Sequence, residues 1–185
     1  MKDTLKFPVY FLALMWLIFA IEWVLPGNLS HFGILPRELA GLIGVAFSPL
    51  LHGSLFHLLS NSFPVVILGS MLAVFYKDNF WDVVIGIWIL SGLGTWLIGR
   101  DNYHIGASGI IFGLMFFLFV SGIITKRIKA LLAATVVFVL YGGTLIFGLL
   151  PTKVHVSFEG HIAGALSGIA IALLIAKYDS GSQKE

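Results

Sequence analysis

Apolar runs of about twenty residues, separated by short clusters that hold nearly all of the charge, decide what this chain can fold into. A helix rises about 1.5 Å per residue, so a run of that length matches a hydrocarbon layer of roughly 30 Å. Of 185 residues, 58% are hydrophobic and 11% charged, the composition of a polytopic membrane protein. The predicted fold is all-α: one domain over 1–185, built as a bundle of six transmembrane helices with no soluble appendage. The spans fall at 9–25, 51–76, 80–98, 105–124, 130–150 and 160–177, with a long interfacial loop at 26–50.

The first run is too long and too aromatic for a signal peptide and lacks a small-residue cleavage pattern, so it is a span, with Glu22 and Trp23 near one interface. The loop that follows is broken at Gly27-Asn28, Pro36-Arg37-Glu38 and Ser48-Pro49, and is expected to lie at the membrane surface as short amphipathic helices. Trp81 and Trp96 anchor the two ends of the third span. The fifth contains Tyr141-Gly142-Gly143-Thr144 and ends at Pro151, which makes it the span expected to bend. With the N-terminus inside, cytoplasmic segments hold Lys2, Lys6, Lys77, Lys126, Arg127, Lys129, Lys177 and Lys184, against Arg37, Arg100 and Lys153 outside. That asymmetry predicts that both termini are cytoplasmic; the membrane expected is a bacterial inner (plasma) membrane.

Composition also excludes functions. A net charge of +2 with no basic stripe gives nucleic acid no footprint, and the absence of cysteine rules out thiol catalysis and disulfides.

In this topology the second, fourth and sixth spans carry their polar groups at the outer end: His52, His57 and Asn61; Ser108; and His161. Counting up from the first cytoplasmic cation, Ser108 lies roughly 27 Å high, His161 and Asn61 roughly 24 Å, and His57 roughly 30 Å. Polar groups in hydrocarbon are costly unless they pair or line a wet cavity, so agreement in depth points to a water-accessible pocket. Gly160, Gly164 and Gly168 form a ridge on the sixth span, and Gly109 and Gly113 form one on the fourth, so the two backbones can approach closely enough to bring Ser108 to His161.

A serine needs a base to become a nucleophile, and a neutral imidazole can take its proton and later protonate a leaving amine. Glu159 is two positions from His161 and points elsewhere on a helix, so a dyad is expected in place of a triad. The amide of Asn61, the imidazole of His57 and the backbone N–H of Ser108 are candidate donors to an oxyanion. His52, at the mouth of the second span, is expected to shape water entry or the helix start, while His31, His104 and His155 are expected to be ordinary loop histidines.

Gly106-Ala107-Ser108-Gly109, with His52, His57 and Asn61 earlier and His161, Gly164 and Gly168 later, resembles the rhomboid family of intramembrane serine proteases over nearly the whole chain. The resemblance implies cleavage of single-span membrane proteins near the outer face of their transmembrane segment, with small residues favoured before the scissile bond. It implies the lipid bilayer as surroundings, no cofactor and no metal, and a lateral gate and cap made by the fifth span and the loop 151–159. Phe112 stands where many bacterial members have a tyrosine that packs on the catalytic histidine, and Gly44-Val45 stand where some carry Trp-Arg.

Three rivals are weaker. A metal site would need HExxH spacing or a buried carboxylate, and the chain has neither pattern. A channel or transporter would carry ionisable groups on towards the cytoplasmic side. A client-binding relative without protease activity would lack the serine or the histidine.

Overall fold

The computed structural model describes residues 2–24, 27–126, 128, 131–132, 135–136, 138–139, 150 and 157–182. Six α-helices are present among them: α1 (Lys2–Val24), α2 (Ile43–Phe47), α3 (Leu55–Phe75), α4 (Phe80–Ile98), α5 (Ser108–Thr125) and α6 (Phe158–Ser182). All but the short α2 contain a stretch long and apolar enough to cross a bilayer, so the architecture is a helical membrane bundle. Most of the fifth apolar run, with Tyr141-Gly142-Gly143-Thr144, Pro151 and His155, lies outside the described residues.

Four helix starts differ from the apolar runs: α1 reaches back to Lys2, ahead of the run that opens at Val9, and the other three shift for a local reason. Helix α3 begins at Leu55, not 51, because the Ser54 side chain accepts the His57 backbone N–H at 3.1 Å and caps the helix there. His52 is thereby left in an extended lead-in. Helix α5 begins at Ser108, not 105, because Gly106 has φ +111°, which no helix accommodates. Helix α6 begins at Phe158, where the Ser157 hydroxyl accepts the Gly160 N–H at 3.1 Å.

The loop between α1 and α3 contains 3-10 turns at Leu29–Phe32, Leu39–Leu42 and Ser48–Leu50, with α2 among them. It is tied down at both flanks. Glu22 accepts the Leu29 N–H at 2.9 Å, Trp88 donates to the Val45 carbonyl at 2.8 Å, and Trp96 to the Glu38 carbonyl at 2.8 Å. The Arg37 guanidinium donates to the Gly99 carbonyl at 2.7 Å and pairs with Asp101. At Gly44 a Cβ would lie 2.2 Å from the Gly33–Ile34 backbone, so this position closes the loop on itself.

Lipid tails are as apolar as leucine, so helices in a bilayer associate through close packing more than through the hydrophobic effect. Small residues mark each contact. Gly69 of α3 receives Pro8 of α1, and Gly94 of α4 receives Ala163 of α6. Along α5 and α6 the approach is closest: a Cβ on Gly164 would lie 2.1 Å from the Gly109 carbonyl oxygen, and one on Gly168 would lie 2.0 Å from that of Gly113. Phe117, Leu118, Leu68 and Ile87 fill the centre with no exposure, while Phe56, Trp23 and Leu166 face outwards.

Candidate active site

Ser108 is the first residue of α5, in a small-residue bend that the neighbouring loop shapes. The Gly106 N–H donates to the Ser48 carbonyl at 2.8 Å, and the next residues turn directly into the helix. Gly106 has to be glycine on two counts: its positive φ, and the His57 imidazole, whose Nε2 would lie 2.5 Å from any Cβ there. His57 of α3 is thus seated against the bend that presents Ser108.

Across the α5–α6 contact, His161 Nε2 lies 2.8 Å from Ser108 Oγ. The Phe112 ring, one turn into α5, stacks on the His161 imidazole with centroids 4.3 Å apart and planes 6° from parallel. Stacking of this kind favours one orientation of the imidazole. Ile111 is the first residue of α5 whose N–H bonds back along the helix, to Ala107 at 3.0 Å. The N–H groups before it lie at a helix N-terminus, where orphan donors and the macrodipole favour negative charge.

Asn61 is buried one turn beyond His57 on α3, and its amide donates to the His57 carbonyl at 2.7 Å. A primary amide has two N–H groups, so one donor remains for another acceptor. His52 is 1% exposed, its ring 4.9 Å from that of His57 in an edge-on arrangement, and neither ring nitrogen has a hydrogen-bond partner among the described residues. Burial, followed by the nearby His57, pushes its pKa down to about 3, only partly offset by the Leu50 backbone. It is a neutral packing group at the mouth of α3. Gly164 and Gly168 lie on the contact with α5, where they let α6 come close enough for His161 to reach Ser108.

A small cavity of about 30 Å³ adjoins Ser108, with Ser48, Ser91, Thr95 and Ser157 among its lining residues. That is room for a water with polar partners.

Two groups near the site were not apparent as such in the sequence. His104 is buried, where a loop histidine was expected, and both ring nitrogens are engaged: Nε2 with the Arg100 carbonyl at 2.9 Å and Nδ1 with Ser157 Oγ at 2.6 Å. Glu159 faces away from His161 and pairs with Arg100 at 2.5 Å. The available signals were Ser157 at the head of the last apolar run, a capping position, and opposite charges at one end of each of two spans. Among the described residues no three His, Asp or Glu side chains converge as metal ligands.

Comparison with known proteins decides the family. The family model for the rhomboid domain matches residues 37–178, well over half of the chain. The chain belongs to the rhomboid family. This makes it an integral membrane protein of an intramembrane protease family. It is 39% identical over 175 residues to an uncharacterized protein of Mycobacterium tuberculosis, covering 89% of this chain and 72% of that protein. A Mycobacterium leprae protein, also uncharacterized, is 36% identical over 174 residues, covering 89% and 68%. RHOMBOID-like protein 2 of Arabidopsis thaliana is 28% identical over 132 residues, covering 68% of this rhomboid and 39% of the plant protein.

Proposed function

We propose that this rhomboid is an intramembrane serine protease that cuts transmembrane segments of single-span membrane proteins near their outer face, with Ser108 as nucleophile and His161 as base. The observation that carries the proposal is the 2.8 Å approach of His161 Nε2 to Ser108 Oγ between two helices whose glycines permit it. In the first half-reaction Ser108 Oγ attacks the scissile carbonyl carbon while His161 Nε2 takes the hydroxyl proton. The tetrahedral oxyanion draws on the Ser108 N–H, the remaining Asn61 N–H and the His57 ring. Collapse expels the amine, which receives the proton from His161, and leaves an ester on Ser108. A water from the adjoining cavity then gives a proton to His161 and attacks the ester carbon; the bond from that carbon to Ser108 Oγ breaks, Oγ takes the proton back from His161, and the acid leaves.

Supporting parts follow from the packing. Phe112 holds the imidazole by stacking, Gly106 and Gly109 keep the approach to Ser108 open, Gly164 and Gly168 set the helix distance, and His52 packs on His57. The Lys and Arg asymmetry favours cytoplasmic termini and an outward-facing site, and the mycobacterial relatives favour a bacterial plasma membrane. Residues 1–185 act as one catalytic unit.

The test is cleavage of a single-span substrate, with small residues at its outer membrane boundary, by the protein reconstituted in liposomes. Ser108→Ala and His161→Ala are expected to abolish cleavage while remaining folded; cleavage retained in Ser108→Ala overturns the assignment.

A further inference from the structure

Behind the Ser108–His161 pair lies a second, inverted pair, four residues earlier on each segment. His104 stands four residues before Ser108, Ser157 stands four before His161, and His104 Nδ1 meets Ser157 Oγ at 2.6 Å. With the His104 ring neutral, the bonding has one consistent direction. The Arg100 carbonyl can only accept, so His104 Nε2 carries the hydrogen and donates it at 2.9 Å. In the neutral ring Nδ1 is then the acceptor, and it takes the Ser157 hydroxyl hydrogen. Ser157 Oγ in turn accepts the Gly160 N–H at 3.1 Å, and the His161 N–H donates to the Ser157 carbonyl at 3.2 Å.

The chain of bonds therefore runs from the loop that delivers Ser108 into the first turn of the helix that carries His161. The loop end is itself anchored. His104 exchanges both backbone hydrogen bonds with Ile34, at 2.8 and 3.0 Å. Arg100 and Glu159 brace the same junction, with two contacts at 2.5 and 3.3 Å and Glu159 buried. Along the chain Ser108 and His161 are 53 residues apart, whereas across this junction each stands four residues from a partner in one shared hydrogen bond.

We infer that His104 and Ser157 form a positioning latch, which holds Ser108 and His161 at reacting distance by fixing the start of α6 against the loop before α5. The inference rests on the dyad reading above. His104 touches neither substrate nor the reacting atoms in this scheme, so its removal acts on the geometry of bond-making and not on probe binding. Misplacing reacting groups by about 1 Å can cost about 100-fold in rate.

The test uses the full chain in detergent with a fluorophosphonate probe, separating the maximal inactivation rate kinact from the binding constant KI, with the adduct mapped by mass spectrometry and thermal midpoints measured in parallel. Glycine is accepted at a helix N-cap, so Ser157→Gly removes the latch hydroxyl while keeping the helix start. Ser157→Gly and His104→Ala are each expected to lower kinact about 10- to 100-fold with KI nearly unchanged, and Ser157→Thr, which restores the hydroxyl, to recover most of the rate. The double variant is expected to be no slower than the slower single, because both remove one contact. Unchanged kinact in folded Ser157→Gly, or losses that multiply in the double variant, overturns the latch while leaving the dyad standing. A wild-type protein not labelled at Ser108 overturns the dyad and the latch together.

Discussion

Gly106 has the least freedom of any residue near the site. Any side chain there must adopt φ +111° and also displace the His57 ring from 2.5 Å. Gly106→Ala is expected to destabilise the fold by about 1–3 kcal/mol and to lower cleavage as the Ser108 bend shifts, measured as thermal midpoint and turnover. Asn61→Ala removes one oxyanion donor among several and is expected to slow cleavage about 100- to 1,000-fold, short of the complete loss in Ser108→Ala. His52 makes stability depend on pH. An unfolded chain protonates this ring below 6.5, whereas the fold withholds the proton down to about 3. Stability is therefore complete above pH 6.5 and falls on acidification towards pH 3, by up to about 1.4 kcal/mol per unit for one withheld proton. His52→Leu is expected to flatten that part of the thermal-midpoint profile. That Ser108 and His161 would meet was legible in the sequence, because a polar group inside an apolar run is costly and calls for a partner. His104 and Ser157 were not, because both lie among polar loop residues and meet only through a contact 53 positions apart.

At the scale of helices, the contact between α5 and α6 brings Ser108 and His161 together. Gly164→Ala places a methyl 2.1 Å from the Gly109 carbonyl oxygen, a backbone atom that cannot rotate aside. The helices must separate, at a cost of about 1–3 kcal/mol and with loss of the Ser108–His161 contact. Gly27→Ala, with nothing within 4 Å of its Cβ, is the control expected to leave both stability and activity unchanged. The glycine ridges could be read from sequence because four-residue spacing on a helix defines a face. Helix starts were read less well: at α3 and α5 the apolar run continues past the point where Ser54 or Gly106 stops the helix. Hydropathy carries no record of a cap or of a positive φ.

Across the whole molecule, the bundle was legible because apolar length and charge clusters dictate membrane helices almost regardless of detail. The path of the loop between α1 and α3 was not, since Arg37, Trp88 and Trp96 reach backbone carbonyls distant in sequence and no local pattern announces such a partner. Tertiary ties of this kind hold the rim of the bundle around Ser108, and the proposed chemistry depends on that rim. The central claim is that two helices make Ser108 an activated nucleophile through His161. Its most direct test is fluorophosphonate labelling of the folded protein in detergent, with the modified residue identified by mass spectrometry. The expected result is a single adduct at Ser108 that is lost in His161→Ala, while an unlabelled Ser108 in the folded wild-type protein, or labelling that persists without His161, contradicts it.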